Sequence, residues 1–422
     1  MSALQHRVGI YAWGGPGTIR LLQTKYPSPN INEESFLHLY DQEYLSLAKE
    51  LFGVTDAWVT YSWGFSSKKE HEDYSFLRHH LPIFKQLGIK AHAYVQGLNV
   101  VTSDFKDQDL FCRDGWGKMV PYSRGRSFIC PNNPAARSLL RDRVELASEE
   151  DCDGVFVDNI LFGLPPFTVH SDILPFFGCS CTHCQTAFEA TFGYPLPTKE
   201  KRQNQIADYL QFREDSLTQL IQELSAIVVK KKKEFGINLY DPYLRNDVLY
   251  YGYRLAAIEP YLDYFLIENH SLPSQPKNNN SHLLPLLSST QKPVFVVSYK
   301  NGIGFEPQYS QNDLNSIASE SQRLGYNPCY KVTEFTTKGK WHALDCSQLK
   351  PVVRLDQQQN IKVSSPRVLQ RSRKRHRALI HLVQRHVSLT STLIHEKKWL
   401  WAFVSKTGIY KNQLRKSRMY HL

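Results

Sequence analysis

The segment Asp153-Gly154-Val155-Phe156-Val157-Asp158-Asn159 decides the fold class, because it is a short apolar run that arrives at a carboxylate. Four to eight apolar residues bounded by polar ones are typical of a strand that is buried in a parallel sheet. Parallel strands need a crossover of a dozen or more residues, which is usually a helix. Helix-length segments flank this strand on both sides, at Ala135–Glu149 and Gln203–Glu234. The segment therefore predicts one β/α unit of an α/β fold.

Seven further runs of the same kind alternate with helix-length segments up to about residue 335. With the first, the predicted strands are Val8–Trp13, Ala57–Ser62, Lys90–Gln96, Gly154–Asn159, Ile237–Asp241, Tyr264–Asn269, Pro293–Tyr299 and Asn327–Val332. Eight such units in order predict a (β/α)8 barrel, and a doubly wound open sheet is the competing arrangement. Glycines that follow predicted helices are expected to be their C-terminal caps, namely Gly53, Gly88, Gly236 and Gly325.

The basic residues are concentrated at the carboxyl end of the chain. The net charge is +11, yet from Lys350 onward 17 Lys and Arg stand against two acids, so the preceding part is mildly acidic. We therefore predict a barrel domain over residues 1–340 and a basic extension over 341–422, small or partly disordered. A dense basic run at 371–377 favours polyanion binding as an alternative role of the extension, and the barrel itself gives no reason to expect nucleic-acid binding.

Composition and hydropathy exclude other classes of protein. The 41% hydrophobic and 12% aromatic content fit a globular protein rather than a coiled coil or a disordered chain. No stretch approaches the roughly 18 apolar residues of a membrane span. The amino terminus lacks the layout of an export signal, so a cytoplasmic location is the expectation. Oligomeric state leaves no mark in the sequence.

Two carboxylates end predicted strands and are candidate catalytic residues. Asp158 follows the fourth strand, and Glu268 closes the sixth in Phe265-Leu266-Ile267-Glu268-Asn269. Active sites of barrel enzymes lie at the carboxyl ends of the strands, so the two side chains are expected to meet across the barrel mouth. A pair about 5–5.5 Å apart would suit a retaining glycosidase, and about 6.5–9.5 Å an inverting one. The structural alternatives are a helix cap or a loop hydrogen bond for Asp158 and an ion pair for Glu268.

Aromatic, amide and basic residues at neighbouring strand ends suit a sugar site. Aromatic rings stack on the apolar faces of pyranoses, while amide, imidazole and guanidinium groups bind hydroxyls. The predicted substrate-binding residues are Trp13, Trp63, His92, Tyr94, Arg126, Asn159, Asp241, Asn269 and Tyr299. We therefore expect the partner to be a carbohydrate.

Three of the eight cysteines lie within six residues, in Cys179-Ser180-Cys181-Thr182-His183-Cys184. Disulfides between such close neighbours would be strained, so the alternatives are free thiols or a metal site. Thiolates in a C-x-C-x2-C pattern can wrap a tetrahedral Zn²⁺ once a fourth ligand closes the site. Cys130 is our choice for that ligand over Cys112 and His183. A closed four-cysteine site is expected to be structural rather than catalytic.

This region resembles the glycoside hydrolase family 42 β-galactosidases over about residues 125–195. The matching pieces are Cys130-Pro131-Asn132-Asn133-Pro134, Val157-Asp158-Asn159, the cysteine run with Gln185-Thr186-Ala187-Phe188, and Phe192-Gly193-Tyr194. The resemblance implies a barrel-fold glycoside hydrolase in which Cys130, Cys179, Cys181 and Cys184 hold zinc.

The sequence departs from that family at both catalytic positions. The family has a Glu directly after the Asn on strand four, where this chain has Ile160, and a nucleophilic Glu on strand seven, which here ends without a carboxylate. The remaining pair is similar in layout to the α-galactosidase clan, in which an Asp on strand four is the nucleophile and an acid on strand six is the acid/base. The layout implies a retaining glycosidase with Asp158 as nucleophile and Glu268 as acid/base. The alternative is a carbohydrate-binding barrel without turnover.

Overall fold

The computed structural model contains the predicted barrel. It describes residues 7–11, 14–25, 30–31, 36–162, 179–197, 203–240, 252, 254–269, 272–273, 280–298, 309–335, 340–347 and 349–352. Eight parallel strands close on themselves in chain order, so the open-sheet alternative is excluded. The strands are β1 Gly9–Tyr11, β2 Asp56–Ser62, β3 Lys90–Gln96, β4 Gly154–Asp158, β5 Glu234–Tyr240, β6 Tyr264–Asn269, β7 Val294–Ser298 and β8 Asn327–Lys331.

Helices surround the barrel and follow the strands along the chain. They are α1 Pro16–Lys25, α2 Gln42–Phe52, α3 Ser67–Leu87, α4 Pro134–Glu149, α5 Thr182–Phe192, α6 Gln203–Lys230, α7 Leu255–Ile258, α8 Leu284–Ser289 and α9 Gln311–Leu324. Asn133 caps α4 by accepting hydrogen bonds from the backbone of Ala135 and Ala136, and Pro134 occupies the first turn. Three of the four predicted glycine caps are confirmed, at Gly53, Gly88 and Gly325, all left-handed.

The prediction for Gly236 was wrong, because this glycine lies inside β5 rather than after a helix. Lys232, with a φ of 59°, takes the left-handed position in the turn after α6 instead. A Cβ at Gly236 would stand 2.2 Å from ring atoms of Tyr264 on the neighbouring strand. The glycine therefore makes room for a buried phenol inside the barrel.

Side chains alternate between the barrel interior and the helices. On β6, Phe265 and Ile267 pack into the large core beneath the helices, whereas Tyr264 and Leu266 belong to a second cluster. That cluster also contains the interior side chains Trp58, Phe156, Phe295 and Cys329. This period of two means that alternate residues of each strand, including Glu268 on β6, face inward.

A charged network fills the amino-terminal end of the barrel. The Arg7 guanidinium donates to both Asp56 and Glu234. His92 lies 3.0 Å from Asp56 through Nε2 and 3.2 Å from the Tyr264 hydroxyl through Nδ1. Burial raises the pKa of Asp56, but hydrogen bonds from His92 and Arg7 outweigh burial and hold it well below its usual range. Asp56, His92 and Glu234 are close enough to bind a cation, and Arg7 already supplies the positive charge there.

Two small sheets extend the barrel. Asn99–Val101, Pro121–Ser123 and Arg126–Phe128 form an antiparallel sheet in the connection between β3 and α4. Asn30–Ile31, Thr333–Phe335 and Lys340–Ala343 form the other. Past the predicted boundary at 340, Leu344 and Cys346 are buried, and the backbone N–H of Val352 donates to Leu51. None of the helices that the structure describes has the length and hydropathy needed to span a bilayer.

Candidate active site

Strand register places the two predicted carboxylates at the same height inside the barrel. In a (β/α)8 barrel of shear 8, neighbouring strands are staggered by about one residue, and each interior layer comes from alternate strands. We follow the paired residues from one strand to the next. Starting from Asp158 on β4, the pairing across β5 leads to Leu266 on β6. From β4 to β6 there are two steps between neighbouring strands, and each step shifts the height by about one residue. Glu268 lies two residues beyond Leu266 on β6, which offsets this shift. Asp158 and Glu268 therefore belong to one interior layer.

The other two members of this layer are Thr60 on β2 and Lys331 on β8. Thr60 pairs through β3 with Phe156, and Asp158 is two residues beyond Phe156. Glu268 pairs through β7 with Cys329, and Lys331 is two residues beyond Cys329. Lys331 pairs through β1 with Trp58, and Thr60 is two residues beyond Trp58. The layer therefore returns to its starting strand, β2. We call Thr60, Asp158, Glu268 and Lys331 the acid layer.

Asp158 is held by donors from two directions. Its Oδ2 atom accepts hydrogen bonds from the Tyr94 hydroxyl and from Nδ2 of Asn159, the latter at 2.5 Å. Asn159 has a φ of 61°, a left-handed conformation that a non-glycine residue adopts at a cost. The Tyr122 hydroxyl in turn donates to Asn159 Oδ1 at 2.8 Å. Asp158 is only 4% exposed, so these contacts fix a buried carboxylate at the end of β4.

Asn238 on β5 connects the two carboxylate residues. Its Nδ2 donates to Glu268 Oε1 at 3.1 Å, and its Oδ1 accepts the backbone N–H of Asn159 at 2.7 Å. Both Asn238 and Glu268 are buried, with 3% and 4% of their surface exposed. One amide thus orients Glu268 and the backbone beside Asp158 at the same time.

Asn238 and Lys331 were not predicted from the sequence to belong to the site. Each is a polar residue in an otherwise apolar strand, in Gly236-Ile237-Asn238-Leu239-Tyr240 and Asn327-Pro328-Cys329-Tyr330-Lys331. Period-two alternation from a known inward residue, such as Cys329, would have placed Lys331 on the interior face. Only 2% of Lys331 is exposed.

Four predicted sugar-binding residues lie around Asp158. The rings of Trp63 and Tyr94 are 4.8 Å apart between centroids, and the hydroxyl of Tyr94 contacts Asp158. Arg126 donates from Nη2 to the carbonyl of Trp63 at 2.9 Å and lies over the ring of Tyr122 at 5.7 Å. Burial lowers the pKa of Arg126, while Tyr122, Tyr94 and the Asp158 charge act in the opposite direction. Trp63, Tyr94, Arg126 and Asn159 are therefore gathered around one carboxylate.

His92 and Asn269 are placed away from the carboxylates. His92 faces inward as expected, but it stacks on Trp58 and contacts Asp56, at the amino-terminal end of the barrel. Asn269 follows Glu268 directly on β6, so its side chain points to the opposite face of the strand, where it donates to Asn280 at 2.6 Å. The predicted residues Trp13, Asp241 and Tyr299 lie outside the described residues.

The four predicted zinc ligands come together. The sulfurs of Cys130, Cys179, Cys181 and Cys184 all lie within 4.8 Å of one another, and all four residues are buried. The backbone N–H of Arg113 donates to Cys179 at 3.3 Å, and that of Asn132 donates to Cys130 at 3.4 Å.

The donor set of this cluster, four sulfurs close to one another, fits a tetrahedral metal. Despite burial, hydrogen bonds from neighbouring thiols lower the pKa of Cys130 to about 6 and that of Cys179 well below its ordinary value. Hydrogen bonds with those two residues raise the pKa of Cys181, and burial raises that of Cys184. Thiolates are the form in which cysteine binds metals. Cys112, although in contact with the cluster, is not one of the four sulfurs that could share an ion.

Comparison with known proteins rests on structure alone. No protein-family model and no curated protein matches the sequence. Among solved structures, the glycoside hydrolase domain of PgaB from Bordetella bronchiseptica superposes with a TM-score of 0.51 at 12% identity, over 77% of this chain and 93% of that one. The β-galactosidase from Marinomonas ef1 gives 0.52 at 10% identity, over 93% and 61%.

The α-L-fucosidase isoenzyme 2 from Paenibacillus thiaminolyticus gives a TM-score of 0.50 at 14% identity, over 78% of this chain. This chain spans 46% of the length of the fucosidase, so it matches only part of that enzyme. At identities this low, the likenesses show that the chain shares a barrel fold with glycoside hydrolases.

Proposed function

We propose that this protein is a glycoside hydrolase whose catalytic pair is Asp158 and Glu268. The observation that carries the proposal is their placement in the acid layer, at the carboxyl end of the barrel, where barrel enzymes keep their active sites. The fold shared with glycoside hydrolases supports the reaction class, and the donors around Asp158 support its role as an ionised carboxylate. A carbohydrate is then the substrate, with Trp63, Tyr94, Arg126 and Asn159 as its contacts.

In the proposed reaction Asp158 attacks the anomeric carbon while Glu268 donates its proton to the leaving oxygen. The bond from the anomeric carbon to that oxygen breaks, and a covalent glycosyl ester forms on Asp158. Glu268, now a carboxylate, takes a proton from water, and the resulting hydroxide attacks the anomeric carbon and releases Asp158. The configuration is retained because the carbon is inverted twice. Asn238, which donates to Glu268, would keep the acid in position through both steps.

The test is turnover of aryl glycosides by the Asp158→Asn and Glu268→Gln variants. The panel contains both anomers of several 4-nitrophenyl hexosides, since the sequence names no sugar. We expect Asp158→Asn to reduce kcat by at least about a thousandfold, and Glu268→Gln to spare substrates with good leaving groups more than poor ones. Asp142→Asn on the exposed face of α4 is the matched control and should behave as wild type.

Three outcomes would contradict the proposal in whole or in part. Unchanged turnover in Asp158→Asn would remove this residue from the mechanism. Sugar binding without turnover of any substrate would favour a carbohydrate-binding barrel, the alternative raised by the loss of both family 42 glutamates. Inversion of the anomeric configuration, followed by NMR, would replace the retaining mechanism with an inverting one.

We also propose that Cys130, Cys179, Cys181 and Cys184 hold a structural Zn²⁺. The mutual distances of their sulfurs and the backbone donors to them support this assignment. Zinc would join the segment before α4 to the start of α5 and would take no part in the reaction, because four cysteines leave no open coordination position.

A further inference from the structure

Arg126 is a buried cation that lies near Asp158 and Glu70 without forming an ion pair with either. It is 2% exposed, and it makes no ion pair with any carboxylate that the structure describes. Its Nη2 donates to the carbonyl of Trp63, whereas its Nε has no hydrogen-bond partner among the described residues. A guanidinium stays protonated at any physiological pH, so the positive charge remains. A buried charge of this kind is costly unless an anion meets it.

The surroundings of Arg126 leave the guanidinium next to the acid layer. The residue lies in the small sheet above the barrel, and its guanidinium packs against Gly64, where an added Cβ would come within 3.0 Å of Nη2. The guanidinium also lies over the ring of Tyr122, whose hydroxyl donates to Asn159, the neighbour of Asp158. The charge of Asp158 is close enough to raise the pKa of Arg126 against the effect of burial.

Two buried carboxylates act on Arg126 from a distance, Asp158 and Glu70. Each is hydrogen-bonded to another group, Asp158 to the Tyr94 hydroxyl and Glu70 to the Ser62 hydroxyl. Neither forms an ion pair with Arg126, so the carboxylate of a substrate would be the direct partner of this guanidinium.

We propose that the sugar recognised at this site carries a carboxylate, as a hexuronic acid does at C6, and that Arg126 binds this carboxylate. The planar guanidinium offers two parallel N–H donors that match a carboxylate, and such charge-assisted pairs are stronger than hydrogen bonds to hydroxyls. The inference rests on the proposed function for the identity of the reaction, and it adds the chemical class of the substrate.

The experiment compares substrates that differ only at C6. Purified full-length protein is assayed with 4-nitrophenyl glucuronide against glucoside, and galacturonide against galactoside, in both anomers. We expect kcat/KM for the uronide to exceed that for the neutral sugar by about ten- to a hundredfold, and Arg126→Gln to abolish this preference. The preference is a ratio within one variant, so it does not depend on the fraction of protein that folds.

Two further variants sharpen the test. Arg126→Lys keeps the charge without the planar fork and should retain part of the preference. Arg124→Gln, two residues away and exposed in the same small sheet's turn, is the matched control and should retain all of it. A glycoside 6-sulfate tests the kind of anion, because a stronger preference for sulfate than for carboxylate would overturn the assignment of a uronic acid.

Failure of the inference and failure of the proposed function give different results. Turnover of neutral glycosides that depends on Asp158, with no preference for uronides, would overturn the inference and leave the hydrolase intact. Without any turnover, calorimetry with free glucuronate and glucose decides the matter. Binding of glucuronate alone, lost in Arg126→Gln, would support the inference and contradict the hydrolase, and equal binding or none would overturn the inference.

Discussion

Tyr94 shows how a single hydroxyl determines what a candidate catalytic carboxylate can do. The residue was predicted to stack on a sugar, yet its hydroxyl donates to Asp158 and its ring lies against Trp63. A donor to an ionised carboxylate stabilises the charge and holds the oxygen in one orientation. Asn159 acts on the same oxygen, and its left-handed backbone indicates that this local geometry is maintained against strain.

Replacement of Tyr94 by Phe should lower turnover without unfolding the protein. The ring stays, one charge-assisted hydrogen bond to Asp158 is lost, and we expect kcat to fall roughly tenfold. Tyr264→Phe is the control, because this buried phenol contacts Trp58 and His92 and not Asp158. Equal kcat values for Tyr94→Phe and wild type on the same aryl glycoside would show that the hydroxyl does not act on the nucleophile.

At the scale of elements, the cysteine cluster connects the segment that follows Arg126 with the start of α5. Cys130 follows the small sheet that contains Arg126, and Cys181 is the N-cap of α5 in the connection after β4. The cysteine pattern in the sequence identified the members of the cluster, because three of them are local. That Cys130 joins them, 49 residues before Cys179, is decided by how these connections meet above the barrel.

We expect the purified protein to contain about one equivalent of zinc per chain, held by the four cysteines. Cys184→Ser should lose the metal and lower the Tm by several degrees, because the ion no longer joins the two segments. Cys346→Ser, at a buried cysteine outside the cluster, is the control and should keep full zinc. Elemental analysis and thermal unfolding measure both quantities, and zinc-free protein with an unchanged Tm would contradict a structural metal.

For the whole molecule, the two ends of the barrel hold different sets of polar residues. The amino-terminal end is closed by Arg7, Asp56, Glu234 and His92, and the acid layer lies at the carboxyl end with aromatic layers between. Arg7 lies just before β1, Asp56 begins β2 and Glu234 begins β5, so this network ties together strands far apart in the chain. Conservative changes there should act on stability rather than on turnover.

The pH dependence of unfolding should report this network. The pKa of Asp56 is lowered in the folded state, so its contribution is complete above the unfolded value near 4 and is lost as the pH falls further. We expect about 2 kcal/mol of the free energy of unfolding to disappear between pH 5 and pH 2.5 through this group. Urea titrations of wild type and Asp56→Asn should therefore converge as the pH falls.

The control for this series is Glu72→Gln, whose carboxylate is 71% exposed and should leave the curve parallel to wild type. If Asp56→Asn also ran parallel to wild type, the charged network would not contribute to acid stability. Burial also raises the pKa of Glu234, but the charge of His92 and hydrogen bonds from Lys90 and Arg7 lower it overall, so this group acts in the same direction.

The sequence by itself determined the barrel, the strand ends that carry Asp158 and Glu268, and the three local cysteines of the cluster. These follow from short-range patterns: apolar runs of strand length, period-two alternation, and cysteine spacing. It also gave the interior face for His92, since parity is local. The sequence did not determine the position of each side chain along the barrel axis. For this reason His92 was expected beside the carboxylates, although it lies at the other end of the barrel.

Only the tertiary structure decided which inward residues share a layer. Height depends on the stagger between strands, and stagger is set by pairing of residues far apart in the chain, such as Tyr11 with Lys331. For this reason only the folded structure shows that Lys331 and Asn238 belong to the candidate site. It also shows that Gly236 leaves space for the ring of Tyr264 and is not a helix cap. Local pattern determines the elements and the face of each side chain, and closure of the barrel determines their neighbours.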